Sequence, residues 1–239
     1  MTRGMAAGAI TGPMDQGRIE PSGDVAVFPL PNTVFFPRTA LPLHVFEPRY
    51  RAMVREVSRS SGLIAVSLLE PGWESDYHGA PPVHDVATVG RIEDLVALPD
   101  GRFNIRLVGL ERVRLHGDVG EGPYRIMKYG SIVERPGADA ETLERSKIDL
   151  LATQMCVARE LAPSSAGGQV LDPSPPFAAV VNGACSALPL EPGIRQRLLE
   201  IDDLMERRRQ VGVILDRILE RLLALRGADD EAGASDPLN

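Results

Sequence analysis

Residues 88–117, TVGRIEDLVALPDGRFNIRLVGLERVRLHG, constrain the fold more than any other stretch of the chain. Two β-rich arms flank PDGR at 99–102, and Asp100-Gly101 is a strong hairpin-turn pair because its second residue tolerates positive φ. In the second arm Phe103, Ile105 and Leu107 alternate with Asn104 and Arg106. The apolar phase then changes near Gly109, continuing through Leu110, Val113 and Leu115, which predicts a β-bulge there.

The preceding segment supplies further strands. VAVFPL at 25–30 is short, apolar and β-branched, and ends at the turn signal Pro31-Asn32. LPLHVF at 41–46 carries Pro42, which suits a sheet edge or a strand start. A helix is predicted over 47–58, with Pro48 in its first turn and Tyr50, Met53, Val54 and Val57 forming one apolar face. LIAVSLLE at 63–70 reads as a buried strand, residues 71–87 as a long loop, and 124–136 as one more strand.

At Pro136-Gly137-Ala138 the period changes from two to helical. Helices are predicted over 141–161, after the prolines of 172–188, and over 191–201. The last and most regular helix carries Leu204, Val211, Leu215, Ile218, Leu222 and Leu225 on one stripe. The expected organisation is a disordered leader at 1–23, a β domain at 24–136, a helical subdomain at 141–226 and a disordered tail at 227–239.

The formal net charge of −7 disfavours a general nucleic-acid binder, since phosphate contacts need a basic surface. No apolar run reaches the length of a membrane span, and the two cysteines, Cys156 and Cys185, read as reduced, buried thiols. A cytoplasmic protein is expected.

VFPLPNTVFFPRTALPLHVFEPRYRAMV, then an apolar strand, then VGRIEDLVALPDGRFNIRLVGLERVRL and PYRIMKYGSIVE, resemble in that order the N-terminal substrate-binding domain of Lon proteases. The helical part, LPLEPGIRQRLLEIDDLMERRRQVGVILDRILERLL, is similar to the segment that follows this domain in Lon. The resemblance implies an α+β chain: a PUA-like pseudo-barrel with a helix packed on it, followed by an all-α bundle. Its implied role is the binding of protein substrates or adaptors for proteolysis. The 239 residues contain no G-x-x-x-x-G-K-[ST] loop to cradle ATP phosphates, so they resemble the stand-alone substrate-binding-domain proteins of bacteria, without ATPase or protease domains.

No catalytic, cofactor or metal site is expected. His78 and His84 share a loop with Glu74, Asp76 and Asp85, but without tight ligand spacing; His44 and His116 read as structural or surface residues. Glu93-Asp94 and Asp202-Asp203 are adjacent carboxylates expected to point apart, as a solvated face or a helix cap. Arg207-Arg208-Arg209 reads as a solvated face, and is the feature behind the alternative, an RNA-binding PUA-like module. The expected function is non-enzymatic binding of proteins or unfolded peptide segments, a protease or chaperone among the partners, by a monomer or weak dimer. The candidate contact residues are Phe35, Phe36, Leu43, Phe46, Tyr50 and Trp73. Of the aromatics, Phe28, Phe46 and Tyr50, with Leu30, are expected to close the barrel and seat the first helix, and Phe35 and Phe36 to be exposed in their loop.

Overall fold

A computed structural model describes residues 19–76, 79–161 and 172–234, with side chains described as far as 227. Most of the predicted leader, His78 and the last five residues lie outside the described residues. The architecture is mixed α+β, as expected. Six strands, β1 (Ser22–Leu30), β2 (Ala40–Val45), β3 (Leu63–Leu68), β4 (Val86–Ala97), β5 (Phe103–Asp118) and β6 (Arg125–Ser131), form one sheet in the order β2-β5-β4-β3-β1-β6. β6 pairs with β1 on one side and with the second half of β5 on the other, which closes a five-stranded ring. β2 extends the first half of β5 outside that ring, so Pro42 does sit on an edge strand.

The bulge predicted near Gly109 is present: Gly90 pairs with Gly109 while Val89 pairs with Glu111, leaving Leu110 extra. There β5 changes partners from β2 to β6. A second bulge, which the sequence reading missed, places Glu93 between Ile92 and Asp94. It brings both adjacent carboxylates onto Arg106, at 2.9 and 2.5 Å, instead of turning them apart. The Asp100-Gly101 turn is as predicted, with Gly101 at φ 79°.

Alternation along β1 and β3 fills two cores at once. Ala26, Phe28, Ile64 and Val66 pack with helix α1 (Pro48–Val57), whereas Val25, Val27 and Ala65 join Val89, Val113, Leu115 and Met127 within the ring. Burial on both faces explains why these strands read as continuous apolar runs.

Four helices follow: α2 (Ala140–Leu161), α3 (Phe177–Ala187), α4 (Pro192–Glu200) and α5 (Leu204–Ala234). α5 continues past Gly227, where the sequence reading ended it. A third core unites these helices with Val34, Phe36, Leu68 and Val86 of the β part. Gln196 of α4 is buried and donates to the carbonyl of Val86 at 2.9 Å.

Two arginines fasten the same junction. Arg112 of β5 and Arg207 of α5 are both fully buried and share Glu134 Oε1, at 3.3 and 2.7 Å. Arg112 also donates to the carbonyl of Leu199 and to Asp202, and Arg207 to Asn182 Oδ1 and the carbonyl of Ile201. The solvated-face reading of Arg207 is therefore corrected: it is buried, with partners at Glu134 and Asn182, far off in the sequence, and at the Ile201 carbonyl just before α5. Asp203 caps α5 by accepting from the Glu206 amide at 2.9 Å, as the helix-cap reading allowed.

The cysteines also divide. Cys185 is buried in the helical core, and that burial pushes its thiol up to about 12; Cys156, expected to be buried, is exposed on α2. Titration of the native protein with a thiol-reactive disulfide should therefore modify Cys156 within minutes and Cys185 only on unfolding. Two rapidly reacting thiols would contradict this packing.

Candidate functional site

The predicted contact residues separate into three groups. Phe35 and Phe36 are not exposed: they retain 3% and 0% of their accessible surface, which overturns their reading as the gripping tip of a loop. Their segment is riveted onto the sheet where Gly90 and Gly109 pair. Thr88 Oγ1 donates to the Phe35 carbonyl at 2.6 Å, Arg38 N to the Gly109 carbonyl at 2.8 Å, and Gly109 N to the Thr39 carbonyl at 2.9 Å. A Cβ on Gly90 would lie 2.6 Å from the Phe35 ring, and one on Gly109 would run into the Phe36 carbonyl. The two phenylalanines thus enter different cores, Phe35 with α1 and Phe36 with the helical bundle.

Tyr50 is likewise buried, 4.4 Å from the ring of Phe28, and seats α1 as expected. Leu43 is half-buried against the same core. Trp73, half-buried in a short 3-10 turn at Trp73–Asp76, follows the C-terminal end of β3, which strand direction puts at the opposite end of the sheet from Phe46. Phe46 was expected to help close the barrel, yet it is 59% exposed.

Phe46 belongs to a lobe in which β2, β5 and β4 run beyond the ring. Across it, His44 pairs with Asn104 and Asn104 with Val96, so these three share one face. Val96 is 55% exposed, Leu95 on the other face 38%, and Phe46 lies against His44 with ring centroids 6.2 Å apart. Sequence reading did not single out Leu95 and Val96. Their signal, an apolar doublet directly before the hairpin turn, was absorbed into the strand pattern.

Polar contacts hold the lobe rigid. Arg102 donates to His44 Nε2 at 3.1 Å, which leaves Nδ1 to carry the proton donated to Asn104 Oδ1 at 2.7 Å. Arg51 of α1 donates to the Gly101 carbonyl at 2.6 Å, tying the turn to the helix. Asp100 accepts from both the side chain and the amide of Arg102, and those bonds draw its carboxyl down to about 2. The folded pKa is depressed, so this contribution to turn stability is complete above about pH 4 and lost as pH falls towards 2. A carboxyl-carbon NMR titration should give Asp100 a midpoint near 2 that returns to the ordinary range in Arg102→Ala; an ordinary midpoint in the wild type would contradict the turn geometry.

Among the described residues no group of three or more His, Cys, Asp or Glu is placed to hold a metal ion. Of the loop residues weighed as ligands, His84 faces Glu200 at 3.4 Å and Asp85 pairs with Arg114. No helix among the described residues is long and apolar enough to cross a membrane.

Comparison with known proteins agrees with this architecture. A family model described as the ATP-dependent protease La (LON) substrate-binding domain matches residues 24–217. Relatives include Lon protease 2 of Syntrophobacter fumaroxidans, 29% identical over 82% of this chain, and Lon protease 2 of Myxococcus xanthus, 29% identical over 86%. The chain spans about a quarter of the length of these relatives, 25% in both cases. Among solved structures, the N-terminal domain of the Mycobacterium avium complex Lon protease superposes with a TM-score of 0.60 at 15% identity, covering 83% of this chain and 98% of that one. The Lon N-terminal domain protein from Xanthomonas campestris gives 0.57 at 27% identity, covering 80% and 98%. With the family model matching most of its length, this chain belongs to the Lon substrate-binding domain family.

Proposed function

We propose that the chain is a non-catalytic recognition module that holds apolar, locally unfolded segments of other proteins on the β2-β5-β4 lobe, in the cytoplasm and in the service of proteolysis or protein quality control. One observation carries this reading: Phe46 and Val96 stand 59% and 55% exposed on a lobe braced from behind by α1 and by the Arg102–His44–Asn104 chain. Exposed aromatic and aliphatic side chains on a rigid support are what an apolar segment can bury without reordering the protein. Full burial of such a side chain contributes about 1.5–3 kcal/mol, most of which offsets the ordering of the bound segment, so micromolar affinity is expected. The lobe also offers strand edges that pair with no other strand among the described residues, along β2 and along β4 beyond Ile92, for backbone pairing. Membership of a substrate-binding family supports protein partners.

The test uses a reduced, carboxymethylated model protein as a permanently unfolded probe. Phe46→Ser should weaken its binding about tenfold while moving unfolding free energy by no more than about 0.5 kcal/mol, as befits a surface position. Wild-type affinity in that variant would refute the assignment of the site.

A further inference from the structure

The two strand edges of the lobe are not equivalent, and the register of the ladder separates them. In an antiparallel pair, residues whose amides and carbonyls point at the neighbouring strand alternate with residues whose groups point away. On β4 the Leu98 amide donates to the Arg102 carbonyl at 2.9 Å. By the same alternation Val96 and Asp94, opposite Asn104 and Arg106, turn inward, so the amides and carbonyls of Leu95 and Ala97 turn outward. On β2 the Gly109 amide donates to the Thr39 carbonyl at 2.9 Å. That turns Leu41, Leu43 and Val45 inward, and Ala40, Pro42 and His44 outward.

Exposed edges are templates for pairing, and proteins blunt them with proline or charge. β2 is blunted in this way, because Pro42, in the middle of its outward residues, has no amide hydrogen to offer. The β4 edge is not. Leu95, Val96 and Ala97 are exposed, uncharged and free of proline. Pairing with β3 stops at Arg91, and the turn before β3 reaches only as far as the Ile92 amide, which donates to the Gly62 carbonyl. The nearest charges, Glu93 and Asp94, are both bound to Arg106. Among the described residues, nothing accepts from the amides of Leu95 and Ala97 or donates to their carbonyls. What remains is two donors and two acceptors about 7 Å apart, the pattern of an extended backbone.

We propose that an extended, proline-free segment of a partner protein adds to the sheet as a further strand along residues 95–97 of β4, and that β2 is closed to such pairing. The proposal rests on the reading of the lobe as a peptide-binding surface and adds the mode of capture: backbone bonds made whatever the partner's side chains. The partner must be locally unfolded, since amides inside a helix or sheet are already used. Strand alternation sets the segment's central side chain beside Val96 and its two neighbours beside Leu95 and Ala97, on the face that packs on α1. A second copy of this chain is a poorer occupant. The edge is too short to approach the roughly 1,200 Å² at which stable interfaces begin, and each copy carries a formal net charge of −7.

The test titrates the full chain into a labelled peptide, Lys-Thr-Val-Phe-Val-Thr-Lys, and reads fluorescence anisotropy. Leu95→Pro removes an outward amide but none that the β4–β5 ladder uses, so it should fold and bind about tenfold more weakly. Leu95→Ala, which keeps the amide, should lose less than about threefold. Ala40→Pro, the same change on β2, should bind as wild type does. Amide hydrogen exchange gives a readout that stands even if Leu95→Pro does not fold. In the free protein Leu95 and Ala97 should exchange quickly and Val96 slowly, and saturating peptide should slow the first two. Equal losses in Leu95→Ala and Leu95→Pro, a loss in Ala40→Pro instead, or unprotected Leu95 and Ala97 amides in the complex overturns the proposal. If Phe46→Ser still weakens the carboxymethylated probe in that case, the reading of the lobe stands without strand addition. Protected edge amides together with a Phe46→Ser variant that binds the probe normally support the proposal and overturn the assignment of Phe46. A dimer of the free protein that Leu95→Pro dissociates, seen by sedimentation, overturns the choice of occupant.

Discussion

Phe36→Ala lowers the unfolding free energy by about 3–5 kcal/mol, the range for removing a fully enclosed phenylalanine ring. Phe36 has no accessible surface and is one of four buried residues through which the β part enters the core of the helical bundle. The cavity left behind cannot collapse readily, since the backbone at 36–39 is bonded to Gly109 on one side and the Phe35 carbonyl to Thr88 on the other. Chemical denaturation should show a shifted midpoint, and Phe35→Ala/Phe36→Ala should fail to accumulate as folded protein. Loss of partner binding in that double variant would therefore report unfolding. A change below about 1 kcal/mol for Phe36→Ala, comparable to an exposed position, would contradict the burial described here.

The second large effect is at the shared carboxylate. Arg112→Ala and Arg207→Ala should each destabilise by about 3 kcal/mol, the lower end for breaking a buried ion pair, because Glu134 and Asp202 keep access to solvent. Burial, followed by the repulsion from Arg207, already holds the Arg112 guanidinium below its ordinary range. Removing one arginine relieves that repulsion and leaves Glu134 to the other, so the two losses should not add; a double-mutant cycle should give a coupling of about 1 kcal/mol or more. The cluster is not fully satisfied: Arg112 Nη2, Arg207 Nε and Asn182 Nδ2 find no acceptor. Independent, additive effects would contradict a shared network.

The hairpin, its turn, the bulge at Gly109 and all five helices were legible because each is written in local periodicity or turn chemistry. What escaped depends on pairs distant in sequence. The inward turn of Phe35 and Phe36 requires two glycines, 90 and 109, to meet on adjacent strands and open a gap that only backbone can fill. The burial of Arg207 requires Glu134, Asn182 and the Ile201 carbonyl, none of which a helical wheel shows. The exposure of Phe46 follows from β2 running outside the ring; Pro42 marks the strand as an edge, but that the edge lies beyond the ring depends on strand order, which local pattern does not show. The expectation that Phe35 and Phe36 face solvent while Phe46 faces the core thus fails at all three positions.

The central claim is that apolar segments bind at the β2-β5-β4 lobe. Amide chemical-shift mapping of the isotope-labelled protein with the carboxymethylated probe tests it most directly. The account predicts perturbations concentrated at residues 43–46, 95–97 and 102–104, with 34–38 unmoved. Perturbations confined to the helical bundle, or to the opposite end of the sheet around Trp73, would contradict it.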